Sequence, residues 1–137
     1  MNKFHVVAGV AIVAAALGLS ACGQQRTAPK GLTRIHFDFD KYNIKPEFQG
    51  TMKGNAAAIQ AAAGKRLTIE GHCDERGSTE YNIALGDRRA KSAKSYLQNL
   101  GVAADRMSTI SYGEERPLCN QHNEGCWSQN RRAEFRW

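Results

Sequence analysis

Asp74, Asn82, Leu85 and Arg89 are the residues of this chain whose types and spacing could do chemistry. A carboxylate, an amide and a guanidinium drawn to one concave spot complement a zwitterion, with an ammonium and a carboxylate on one carbon. Arg offers a planar fork that grips a carboxylate through two bonds. Asp accepts from an ammonium. No nucleophile stands beside a base in this stretch. The chemistry implied is recognition rather than bond breaking.

The elements that must position these groups can be read from the pattern around them. Residues 67–74 alternate like a strand, with Leu67, Ile69, Gly71 and Cys73 on one face and Thr68, Glu70, His72 and Asp74 on the other. A polar turn around Gly77 follows and carries Arg76, whose contact with a ligand stays open. A helix then begins, with Ser78 or Thr79 placed to cap it and Glu80 in its first turn. Asn82, Leu85 and Arg89 fall at i, i+3 and i+7 and share one stripe of that helix. Asp74 closes the strand beside the helix start. Neither Asp74 nor Arg89 is expected to belong to the core.

The remaining elements follow from the same patterns. Residues 34–39 alternate as a strand, Ile35, Phe37 and Phe39 inward and His36 and Asp38 outward, with Asp40 just past its end. Pro46 suits the first turn of a helix. Phe48, Met52, Ala56, Ile59 and Ala63 then recur at helical spacing until Gly64. The second helix buries Ile83, Ala90, Ala93, Leu97 and Leu100 and stops at Gly101. Residues 107–112 form a third strand and residues 132–137 a fourth. In the fourth, Ala133, Phe135 and Trp137 alternate with Arg132, Glu134 and Arg136. This order predicts an α/β (α+β) two-layer sandwich: two main helices on one face of a mixed four-stranded sheet.

The first residues carry a different signal. A short positive start at Lys3 precedes an apolar run over residues 4–19, then Leu19-Ser20-Ala21-Cys22. The run is too short for a membrane span and reads as a secretory signal; the alternative is a short buried helix ending in an ordinary Cys. Small residues directly before a Cys match the bacterial lipobox, with diacylglycerol on Cys22. The chain then divides into a lipoprotein-type signal peptide (1–21), a lipidated N-terminus and flexible tether (22–32), and one domain (33–137). The whole chain has 19 Lys plus Arg against 13 Asp plus Glu, a net charge of +6; the leader removes one Lys and no acid, leaving +5. A basic balance suits either nucleic acid or an anionic surface. The export signal and the scatter of the basic residues argue against nucleic acid.

These residues also carry a resemblance. Residues 71–90 fit GHxDxxGxxxYNxxLGxRRA, and FDFDKYNI at 37–44, SYGEERP at 111–117 and NRRAEF at 130–135 follow in order. Together they resemble the OmpA-like peptidoglycan-binding domain, and more closely the peptidoglycan-associated lipoprotein family of Tol–Pal envelope systems. The resemblance covers about residues 34–137. It implies non-covalent binding of peptidoglycan through Asp74, Asn82, Leu85 and Arg89, with diaminopimelate of the stem peptide as the zwitterion. Asp40 joins the set because the Phe39-Asp40 pair matches a position lining the family's wall-peptide pocket. It further implies a TolB-like periplasmic partner and a role in envelope integrity and cell division, with no enzyme activity and no cofactor. Gly23, rather than Asp, after the lipid site favours the outer membrane, with the domain facing the periplasm.

Three cysteines remain besides Cys22. In an exported chain Cys119 and Cys126 are expected to form a disulfide. The alternative is a metal site of Cys119, His122 and Cys126, at a spacing that matches no recognised zinc pattern and lacks an evident fourth ligand. Cys73 reads as a buried, inert thiol. The rival function is an enzyme acting on the cell wall, for which Asp38 and Asp40 would supply paired carboxylates. Asp38 points out of its strand, where a solvated acid is the default.

Overall fold

The computed structural model describes residues 31–137 and arranges them about β2 (Leu67–His72). The signal peptide, Cys22 and most of the tether lie outside the described residues. β1 (Ile35–His36), β2, β3 (Met107–Gly113) and β4 (Arg132–Arg136) form one mixed sheet in the order β1-β4-β2-β3. β2 runs parallel to β3 and antiparallel to β4, and β1 is antiparallel to β4. A parallel pair needs a long crossover, here α2 (Thr79–Asn99). A 3-10 turn at Pro46–Phe48 leads into α1 (Gln49–Ala61). Ile35, Phe37, Ile69 and Phe135 pack against Met52 and Ile59 of α1 and Ala90, Ala93 and Leu97 of α2 in one core. The expected two-layer arrangement with a four-stranded mixed sheet is the one observed.

α2 touches β2 backbone to backbone. A Cβ placed on Gly71 would lie 1.7 Å from the Gly86 carbonyl oxygen. This glycine pair seats the helix on the strand and sets the height of every side chain on its inner stripe.

Several local expectations are corrected. β1 is only two residues long, because the chain turns after Phe37 and Asp40 adopts φ 56°. Phe39 therefore leaves the core and is 55% exposed. Ile83 is exposed as well, since it rests on Gly113, the last residue of β3, where the sheet ends beneath it. The outward face of β4 is not solvated. β4 is interior in the sheet, and Arg132 and Glu134 are buried together, with Arg132 Nε donating to Glu134 Oε1 at 2.7 Å. The terminal Trp137, by contrast, is exposed beside Lys65.

A third helix, α3 (Glu124–Asn130), was missed between β3 and β4. Its seven residues are too few for an apolar period to show. Its one local signal is Asn123, whose side chain caps it by accepting from the Cys126 N–H at 3.0 Å. The disulfide joins Cys119 to Cys126 as expected and leaves Cys73 free and buried. Joined sulfurs are not metal ligands, and His122 instead pairs with Glu75, so the three-residue metal alternative is overturned.

Candidate functional site

β2 ends at His72, and the Cys73 N–H still donates to the Gly113 carbonyl at 2.9 Å, so Asp74 emerges at the strand's C-terminal end. Gly77, at φ 107°, turns the chain into α2. Ser78 caps the helix, accepting from the Tyr81 N–H at 3.2 Å. The loop after β1 closes the other side. Together they bound a cavity of about 200 Å³ lined by Phe39, Asp40, Cys73, Asp74, Arg76, Gly77, Tyr81, Asn82, Leu85 and Arg89. All five residues singled out in the sequence lie on this one cavity.

Arg89 is 0% exposed, which overturns the expectation that it lies outside the core. Its guanidinium donates to three backbone carbonyls: Lys41 at 2.8 Å, His72 at 2.9 Å and Asp38 at 3.1 Å. It thereby ties the loop after β1 to the end of β2. Burial lowers its pKa somewhat from the usual Arg value, but nothing makes it neutral near pH 7. Of the five N–H donors of an Arg, two remain for a ligand.

Asp74 is buried as well and does not hydrogen-bond to Arg89. It accepts from the Arg76 N–H at 3.0 Å, from Arg76 Nε at 3.2 Å and Nη2 at 2.9 Å, and from Arg131 Nη1 at 3.2 Å. Burial alone would raise this carboxyl, yet the hydrogen bonds from Arg76 and Arg131 outweigh it and hold it below the usual carboxylate range. Arg76 lies between two rings, 4.0 Å from the Phe39 centroid and 4.1 Å from that of Trp127.

The other lining residues complete the shape. Asn82 Nδ2 donates to the Asp74 carbonyl at 3.4 Å, and Leu85 gives an apolar surface beside it. Asp40 accepts from the Tyr81 hydroxyl. The Cys73 thiol donates to the Asn82 carbonyl at 3.2 Å, and burial pushes it up to about 11, so no thiolate forms near neutral pH. His72 is off the cavity. Its ring stacks on Tyr112, centroids 5.5 Å apart, and burial lowers it to about 4, so it stays neutral at pH 7. Asp38 is exposed and paired with Lys45 at 3.0 Å, apart from the cavity that Asp40 lines.

Sequence reasoning missed three residues that shape the site. Tyr81 sits within the 71–90 motif and Arg131 within NRRAEF, so both were marked without a role. Trp127 belongs to the unrecognised α3.

Residues 36–131 match the model of the OmpA family. The peptidoglycan-associated lipoprotein of Pasteurella multocida is 41% identical over 97% of this chain and 95% of its own length. That of Haemophilus influenzae is 36% identical over 97% of each. Among solved structures, the peptidoglycan-associated lipoprotein from Burkholderia pseudomallei superposes with a TM-score of 0.72 at 37% identity, covering 74% of this chain and 86% of that one.

Proposed function

The chain belongs to the OmpA family and, within it, to the peptidoglycan-associated lipoproteins, and from that premise we propose that it tethers the outer membrane to the cell wall by binding peptidoglycan non-covalently. The ligand is the diaminopimelate of the stem peptide. The observation that carries this reading is one small cavity presenting a buried carboxylate, Asp74, and a buried guanidinium, Arg89, about the side chain of Leu85. An amino-acid head group matches both charges. Its carboxylate takes the two N–H groups that Arg89 has free, and its ammonium reaches Asp74. Asn82 and Asp40 add polar edges. The ammonium must share Asp74 with Arg76, whose side chain is 32% exposed.

The protein acts as a binding module rather than a wall-cleaving enzyme: Asp38 and Asp40, the paired carboxylates considered for catalysis, are spent on Lys45 and on Tyr81. A TolB-like periplasmic protein is the further partner, within a Tol–Pal system serving envelope integrity and division. The lipid on Cys22 supplies the membrane end, with the domain in the periplasm. Acyl chains give durable attachment while the wall contact stays reversible. A Cys22→Ala variant is expected to leave the membrane fraction; a wild-type mature N-terminus carrying no lipid by mass spectrometry would remove this anchor.

The wall site is tested with purified sacculi and soluble domain. Asp74→Ala should weaken co-sedimentation by at least about tenfold, since one ligand charge loses its partner. Because Asp74 is buried against two arginines, the variant is also expected to melt lower, so binding is measured well below its transition. If folded Asp74→Ala still sediments like wild type, the site is elsewhere.

A further inference from the structure

Arg131 lies between two carboxylates. Its Nη1 donates to Asp74 Oδ2 at 3.2 Å and to Glu124 Oε2 at 3.2 Å, and its Nη2 donates to Glu124 Oε1. The second cation on Asp74, Arg76, has its Nη2 3.7 Å from Glu124 Oε2. Two acids and two guanidiniums therefore form one neutral cluster behind the cavity. Asp74 and the cavity face of Arg76 line the cavity, and Glu124 lies outside its lining.

α3 holds Glu124 in place. The Cys119–Cys126 disulfide ties the helix to the preceding loop, and Cys126 is buried. Trp127, one turn on from Glu124, covers one face of Arg76 and donates from Nε1 to Glu75 at 2.8 Å. The helix thus sets both the position of Arg76 and the charge that Arg76 and Arg131 feel.

We propose that Glu124 is a specificity-determining residue of the cavity, acting through Arg76 and Arg131 to keep Asp74 available to a ligand ammonium. This rests on the wall-peptide reading above. With Glu124 present, its charge offsets one of the two guanidinium charges that meet at Asp74. Without it, the cluster carries one net positive charge, and an ammonium approaching Asp74 meets repulsion from the two guanidiniums already bonded to it. The carboxylate half of a ligand, held by Arg89, is not affected.

The experiment compares two soluble probes on the soluble domain with its disulfide intact. One is a muropeptide ending in diaminopimelate with a free amine; the other is the same muropeptide N-acetylated at that amine. Glu124→Gln is expected to bind the free-amine probe about fivefold more weakly, a modest effect because the Glu124 side chain is 64% exposed and screened. The same variant should bind the acetylated probe as wild type does. Glu124→Asp keeps the charge and should stay within about twofold of wild type on both probes. Equal losses on both probes would show a merely structural role and overturn the proposal, as would no loss on either. Wild type failing to bind the free-amine probe at all would instead overturn the wall-peptide reading itself.

Discussion

Arg89→Ala is expected to lose stability and wall binding together, with the melting temperature falling by roughly 15–25 °C. The charge is wholly buried and serves three backbone carbonyls, of Lys41, His72 and Asp38. Removing it takes a donor from the Lys41 and His72 carbonyls and one of two donors from that of Asp38, which keeps the Lys41 N–H at 3.2 Å. Each unsatisfied buried acceptor costs about 1–3 kcal/mol, and partial rehydration brings the total to roughly 3–5 kcal/mol. The loop after β1 then comes free of β2, and the cavity loses the wall that carries Phe39 and Asp40. Arg89→Lys is expected to lie between, because an ammonium can reach one or two carbonyls but lacks the fork. Thermal melts beside sacculus pull-down measure both effects. An Arg89→Ala domain melting within about 2 °C of wild type would show that these three bonds contribute little.

This dual role was not legible in the sequence, although the residue was. Spacing put Arg89 on one stripe with Asn82 and Leu85, and the structure keeps all three on one cavity. Spacing cannot report depth. Whether a helical Arg faces water or backbone depends on which loop folds over it, and that loop begins where β1 breaks off after two residues. Alternation across residues 34–39 carried no warning of the break, because Asp40's left-handed backbone interrupts a pattern that would otherwise continue. The same limit explains Asp74. Its place at a strand end follows from alternation, but its partners, Arg76 and Arg131, are 2 and 57 residues away. The distant one depends on how β4 enters the sheet. The long, strongly periodic elements α1, α2, β2 and β3 were legible. Elements fixed by non-local contact were not: the short α3, and the buried outer face of β4.

The packing that raises Arg89 to its carbonyls rests on two glycines, and Gly71→Ala is expected to disrupt the domain most of all. A Cβ on Gly71 would lie 1.7 Å from the Gly86 carbonyl oxygen and 2.5 Å from its carbon. Both are backbone atoms of α2, so no rotamer relieves the clash. The strand cannot yield either, since Gly71 is paired with Ser111 of β3 on one side and Ala133 of β4 on the other. The helix must lift, and it carries Asn82, Leu85 and Arg89 with it. Overpacking costs about 1–3 kcal/mol where side chains can adjust; here only backbone can move, so a loss of about 4 kcal/mol or more, or failure to fold, is expected. Gly86→Ala should be milder, because its nearest obstacle at 2.2 Å is the Ser111 hydroxyl, which can rotate, although the Gly71 carbonyl at 3.0 Å still resists. Gly54 in α1 provides the control. A Cβ there meets nothing within 4 Å, and Gly54→Ala should gain about 0.5–1 kcal/mol from helix propensity. Urea melts of the three variants rank these effects. A Gly71→Ala domain as stable as Gly54→Ala would mean that α2 does not rest on β2 at this pair, and the placement of the cavity's helical residues would need another support.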